Sequence, residues 1–320
     1  MLRRGGFTCH PQPAEPHGIV DGSPARQGYR GRPKMKPKPR ALVPRAIAPR
    51  RPAAVLSAMV GLVLAAAALA GEASPWFQGH HSRARLVAGG ADGAARLAAI
   101  EIVLDRGFKT YWRHPGESGL PPAFDWSASE NVAMAEVLWP APTRFEDAGG
   151  VSYGYANGVV FPVRFTRGDP GKPVHLVLKL DYGVCKDICI PARADLSLGL
   201  TDDGPGRSTI EAALAKVPVA QALGAQGDLS VLAVEPVKQD KPAYTVTIRA
   251  PSGAKPALFA EGPENWYLST SLPDDANRFT VTVEEKPKDA SGPVPLRLTL
   301  VAGGKSVETE VSLDAGGPAR

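Results

Sequence analysis

Thiol chemistry is available at three positions of the 320-residue chain: Cys9, Cys185 and Cys189. Cys9 lies in a basic N-terminal stretch read below as a leader, which leaves Cys185 and Cys189 as the pair to explain. They sit in Leu180-Asp181-Tyr182-Gly183-Val184-Cys185-Lys186-Asp187-Ile188-Cys189-Ile190-Pro191. Two cysteines four apart could share one helical turn, but Gly183, the β-branched neighbours and Pro191 disfavour a helix. In a tight hairpin they flank Lys186-Asp187-Ile188 and face each other across adjacent antiparallel strands. Such partners have Cα atoms about 4.5–5.5 Å apart, at the short end of what a disulfide accepts. The pair is therefore expected to close and reopen with little backbone movement.

Three uses of such a pair are open from chemistry alone. As a staple it is weak, because so short a loop removes only about 2 kcal/mol of unfolded-state entropy. As an exchanging disulfide it is well suited, since strained or exposed disulfides are the more oxidising ones. Lys186 beside Cys185 favours a thiolate, although Asp187 partly cancels its field. As a metal site the pair needs further ligands, or a Cu(I) ion content with two thiolates. The remaining histidines, His80, His81, His114 and His175, have no ligand spacing to the cysteines. No metal site and no dissociable cofactor are expected. Gly304-Lys305-Ser306 imitates the end of a phosphate-binding loop, but Thr299 stands where its first glycine should be, so it reads as a hairpin turn. Gly116-Glu117-Ser118-Gly119 lacks the setting of a nucleophile elbow.

These residues need a scaffold, and the charge distribution first separates a leader from it. Residues 1–70 carry 12 of the 37 Lys/Arg but only Glu15 and Asp21 among the 32 acids, so the rest of the chain is slightly acidic. A net charge of +5 whose basic excess lies wholly in a leader argues against nucleic-acid binding. The basic stretch ends at Arg50-Arg51. An apolar, Ala-rich run from Ala53 to Ala70 follows and closes on Ala68-Leu69-Ala70, the small-x-small pattern of a signal-peptidase site. A cleavable signal peptide with its core over Arg45–Ala70 and a periplasmic location are expected; an uncleaved N-terminal anchor is the alternative.

Beyond the leader the pattern is all-β. Strand-like runs begin at Ala98–Leu104 and continue through Phe108–Trp112, Phe124–Trp126, Val132–Trp139, Val159–Phe165, Val174–Leu180 and Ala194–Leu200. About seven short strands separated by turn formers suggest a β-sandwich over residues 71–203. Glu146–Gly158 reads as a glycine- and tyrosine-rich loop. Residues 204–226 form a linker containing a short helix over Ser208–Leu223, with Ser208 as N-cap and Glu211 three residues later. A second β-sandwich-like domain over 227–316 has strands near Leu229–Val237, Ala243–Ala250, Leu258–Phe259, Trp266–Ser269, Phe279–Val283, Leu296–Val301 and Val307–Leu313. It holds no cysteine or histidine, so a scaffold or docking role is its default.

The segment Tyr182–Pro191 resembles the N-terminal periplasmic domain of the disulfide reductase DsbD and, more closely, the related ScsB proteins of copper-tolerance systems. Phe108–Arg113, Gly116–Pro122, Phe124–Trp126, Val137–Pro142 and Ala260–Pro263 ahead of Trp266 share the resemblance, which spans about 90–315. It implies an immunoglobulin-like sandwich whose cysteine pair takes electrons from a thioredoxin-like donor and passes them to oxidised periplasmic proteins. Cys185 and Cys189 become the exchanging pair, with Cys185 expected to form mixed disulfides, although the sequence does not assign the nucleophilic and resolving roles. In that family a loop aromatic shields the cysteines, and Tyr153 and Tyr155 of the 146–158 loop are the candidates here. Tyr182 and Lys186 are further candidate modulators. The CxxxC spacing is shorter than in DsbD and fits the ScsB branch. The membrane reductase and thioredoxin-like donor are expected on separate chains. The activity implied is that of a protein-disulfide reductase, and the alternative is a non-catalytic copper-binding or assembly module.

Overall fold

The computed structural model describes residues 72–147, 149–288 and 293–313; the expected leader, with Cys9, lies outside them. The strands in chain order are β1 (Phe77–Gln78), β2 (Ser82–Asp92), β3 (Ala95–Leu104), β4 (Lys109–Gly116), β5 (Ala123–Asp125), β6 (Val132–Val137), β7 (Thr143–Asp147), β8 (Gly150–Ala156), β9 (Gly158–Arg167), β10 (Val174–Cys185) and β11 (Cys189–Leu200). One sheet has the order β1-β2-β3-β9-β6. The other runs β11-β10-β4-β8-β7, with β5 also against β10. The two sheets face each other as an immunoglobulin-like β-sandwich.

Alternation explains which faces meet. In β10, Val174, Leu176, Leu178, Leu180, Tyr182 and Val184 are buried; across the core lie Leu86, Ile100, Ile102, Phe161, Val163 and Phe165. Every second side chain of a strand points to one face, so this pattern commits β10 to the core along its whole length. A one-residue slip would turn all six outward, which is why its register with β11 is firm.

Two expectations about this sandwich are corrected. Strands begin before Ala98: β2 already runs from Ser82, its signal obscured by Arg83 and Arg85, whose guanidinium groups lie over the Trp76 ring, and by Gly89-Gly90 at a bulge. The expected loop over 146–158 is instead the hairpin β7–β8 running into β9. Its glycines look like breakers, but Gly154 is needed within the sheet, because a Cβ there would lie 2.0 Å from the Thr110 carbonyl oxygen.

The helix α1 (Arg207–Leu214) is shorter than expected and has Gly206, not Ser208, at its N-cap, with no side-chain cap. Ser208 is already inside the first turn, so its hydroxyl cannot serve. Pro218 disfavours helical backbone at the residue before it, and Val219-Ala220 is taken up as β12 (Val219–Ala220).

The remaining strands are β13 (Ser230–Val237), β14 (Ala243–Arg249), β15 (Ala257–Glu261), β16 (Tyr267–Thr270), β17 (Arg278–Glu285), β18 (Val294–Ala302) and β19 (Lys305–Leu313). They form sheets β12-β19-β18-β15 and β13-β14-β17-β16 around a second core of Val231, Val246, Val281, Leu298 and Leu300. Gly303-Gly304, both at positive φ, close the β18–β19 hairpin, so the Gly304-Lys305-Ser306 segment is a turn leading into a strand. No helix among the described residues is long and apolar enough to cross a membrane.

Candidate functional site

Strands β10 and β11 pair residue for residue from Val174↔Leu200 to Cys185↔Cys189, and Lys186-Asp187-Ile188 turns between them. The turn is closed by the Lys186 N–H donating to the Ile188 carbonyl at 3.2 Å. The cysteines are joined as a disulfide with Cα atoms 4.1 Å apart. On its other side Cys185 pairs with Lys109 at the start of β4. This placement makes the two sulfurs unequal: Cys185, between two strands, is 1 % exposed, whereas Cys189, on the edge strand, is open to solvent.

Strand β4 supplies the polar groups. Lys109 and Tyr111, two apart, lie on one face of it. The Tyr111 hydroxyl is 2.9 Å from the Cys189 sulfur, and because a disulfide sulfur has no hydrogen the tyrosine is the donor. Burial, followed by the nearby Asp147 carboxylate, pushes the Tyr111 pKa above its usual value, so the hydroxyl keeps its proton. Lys109 is largely buried and its ammonium donates to Asp147 Oδ2 at 2.7 Å and to Ser152 Oγ at 3.0 Å. It also lies 5.1 Å from the Phe145 ring centroid. Hydrogen bonds from Lys109 and from the Gly149 N–H hold the Asp147 carboxyl below the usual carboxylate range. The Lys109–Asp147 pair thus pins the β7–β8 turn beside the disulfide.

Two grooves flank the disulfide. One, of 340 Å³, is bounded by Tyr111, Ser118, Asp187, Ile188 and Cys189. The other, of 440 Å³, is bounded by Arg106, Phe108, Phe145, Asn157, Lys186 and Cys185. Ile188 at the hairpin tip is 73 % exposed, an apolar group presented to solvent next to the disulfide. A larger hollow under α1, lined by β3 and β9 residues, includes neither cysteine.

Of the residues singled out in the sequence, Cys185, Cys189 and Lys186 are brought together. Lys186 is exposed, with its ammonium 5.9 Å from the Phe108 ring centroid. The three tyrosines point elsewhere. Tyr153 packs edge-on against Phe259 and Tyr155 against Phe161, with the Tyr155 hydroxyl donating to the Pro140 carbonyl. Tyr182 is buried, its hydroxyl 2.8 Å from Ser82 Oγ. All three belong to the core, because alternation in β8 and β10 turns them inward, so the expectation that Tyr153 or Tyr155 shields the cysteines is not met by their placement. The aromatic on the disulfide is Tyr111. It lies in the aromatic, strand-like run Phe108-Lys109-Thr110-Tyr111-Trp112, but nothing local says which strand neighbours the cysteines.

His80 and His81 lie ring to ring, with His81 bonded to Asp105 at 2.9 Å and stacked on Phe108, while His175 bonds Ser197 and His114 is half-buried beside Tyr153. Among the described residues no three His, Cys, Asp or Glu side chains are grouped to hold a metal.

Residues 82–201 match the family model described as "Thiol:disulfide interchange protein DsbD, N-terminal". The N-terminal periplasmic domain of ScsB from Proteus mirabilis shares the fold, with a TM-score of 0.60 and 23 % identity over 77 % of this chain and 99 % of that one. A conserved domain protein from Bacillus anthracis (TM-score 0.18, 10 % identity, 75 % of this chain and 89 % of that one) aligns too loosely to bear on function. So does the endo-fucoidan hydrolase MfFcnA9 (TM-score 0.17, 10 % identity, 65 % of this chain and 35 % of that one). No curated protein matches the chain in sequence.

Proposed function

Because residues 82–201 belong to the N-terminal domain family of the thiol:disulfide interchange protein DsbD, we propose that this chain relays electrons by thiol–disulfide exchange at Cys185–Cys189. It acts as a protein-disulfide reductase in the periplasm, between a thioredoxin-like donor fed by a membrane reductase and oxidised periplasmic proteins. The redox sandwich is assigned to residues 71–203, the linker to 204–226 and a docking or scaffold role to 227–316.

The observation that carries the reading is the unequal exposure of the two sulfurs. A donor thiolate attacks the accessible Cys189 sulfur in line with the S–S bond. The Cys185 sulfur leaves as a thiolate and takes a proton from solvent, and a mixed disulfide joins the donor to Cys189. The donor's second thiolate then attacks its own sulfur, which releases Cys189 and leaves the donor oxidised. Two electrons have moved onto the pair. In the forward direction the Cys189 thiolate attacks a client disulfide, and Cys185 resolves the mixed disulfide by attacking Cys189, which re-forms the bond and frees the client thiol. Cys189, rather than the Cys185 expected from sequence, is the sulfur that meets partners. The Tyr111 hydroxyl beside it donates to the thiolate formed there.

The test is a trapping pair. Cys185→Ser, with Cys189 left alone at the surface, is expected to accumulate mixed disulfides with an oxidised test protein. Cys189→Ser, with its one thiol buried, is expected to trap little. Equal trapping by the two variants, or none by either, would count against this mechanism.

A further inference from the structure

The groove on the Cys185 side has a charge that the exchange chemistry itself does not use. Its floor is aromatic, from Phe108 and Phe145, and its rim carries Arg106 and Lys186, both exposed. Of the neighbouring acids, Asp147 is paired with Lys109 and Glu146 with Arg144, while Asp105 shares a hydrogen bond with His81. Arg106 and Lys186 enter no ion pair among the described residues, while Asp187 lines the opposite groove. Arg106 thus lines only the first groove, whereas Lys186 stands between the two, shared with the groove of Asp187 and the exposed Ile188, so the first groove carries two cations outside any ion pair beside the paired acids Glu146 and Asp147.

Building on the exchange reading above, we infer that the Arg106–Lys186 groove is a docking site for a carboxylate side chain next to the partner's attacking cysteine. The partner is thus one whose cysteine is flanked by Asp or Glu. A carboxylate there meets the Lys186 ammonium and the fork of Arg106 donors while the partner's sulfur lies over Cys189. The aromatic floor lowers the local dielectric and strengthens that attraction relative to open solvent. Charge at this rim acts mainly on how fast and in which orientation a partner arrives, so it sets selectivity among thiols.

The probes are three short peptides with one cysteine each, flanked by two glutamates, two lysines or two serines. Each reduces the full chain, and its rate is divided by its own rate against oxidised β-mercaptoethanol, which removes differences in thiol pKa. At about 10 mM ionic strength the acidic peptide should be roughly three to ten times faster than the neutral one and the basic peptide slower, a difference that shrinks toward unity at about 0.5 M salt. The double variant R106Q/K186Q should lose most of this preference. Using the ratio between peptides cancels any change that Lys186 causes at Cys185 itself. Equal normalised rates, or a preference that survives the double variant, would overturn the docking site while leaving exchange intact. A disulfide inert to all three peptides would overturn exchange, and the docking site with it.

Discussion

At the scale of single residues, the disulfide is governed by what touches each sulfur. Cys185 is wedged between strand neighbours at the base of the grooves, while Cys189 meets solvent and the Tyr111 hydroxyl. Once the bond is reduced, that hydroxyl is a ready donor to a Cys189 thiolate, because its raised pKa keeps it protonated through the physiological range. Hydrogen bonds to charged groups contribute about 1.5–3 kcal/mol, less where solvent competes. Tyr111→Phe should therefore raise the Cys189 thiol pKa by about one, since one pKa step corresponds to about 1.4 kcal/mol. Alkylation of the reduced protein followed across pH reads this directly, and superimposable curves for wild type and variant would dismiss the role of the hydroxyl. The paired cysteines and Lys186 were legible from residue type and spacing. Tyr111 was not, since it stands 78 residues from Cys189 and reaches it only through strand pairing.

At the scale of elements, β4 is the strand that brings the site together. Its first residues face the cysteine hairpin, and its Thr110–Tyr111 backbone lies against β8 with no room for a side chain at Gly154. Gly154→Ala places a methyl group on a backbone carbonyl that cannot move without breaking the β4–β8 ladder. We expect a loss of about 2–4 kcal/mol in urea denaturation, with Tyr111 displaced from Cys189. An unchanged midpoint would show that the two strands can separate freely. The same crowding explains why β8 was hidden in the sequence: a glycine inside a strand and a glycine in a loop look alike until the neighbouring strand is known. The β10–β11 hairpin was legible because the alternation over Val174–Leu180 leads directly into the cysteine segment and returns over Ala194–Leu200.

At the scale of the whole molecule, β4 also ties the two sandwiches together. Arg113 forks onto Glu261 at 2.8 and 2.6 Å and reaches Glu308 at 2.5 Å, while Trp112 and Tyr153 meet Phe259. Arg113→Met would leave the largely buried Glu261 carboxylate without a cation, and Glu308 with only Arg297 at 3.4 Å. Breaking such a pair costs about 3 kcal/mol or more, and calorimetry should then resolve the second sandwich unfolding apart from the first. A single undivided transition at an unchanged temperature would refute this coupling. His114 lies in the same region, where burial lowers its pKa from 6.5 despite the opposing pull of Glu261. The unfolded chain therefore binds this proton more readily than the folded one, so stability is full above about pH 6.5 and falls as pH drops toward the folded pKa. His114→Gln should flatten that fall in melting temperature, and an identical slope would assign it to other groups. The chain's own order of residues determined that it is all-β, that its thiols face each other across a hairpin, and that such a pair suits exchange, because these depend on alternation and short separations. Only the tertiary structure decided which sulfur is open, that Tyr111 and not Tyr153 or Tyr155 lies against it, and that Arg106 and Lys186 share one rim. Those facts depend on which distant strands become neighbours, and that is settled by burying the core as a whole.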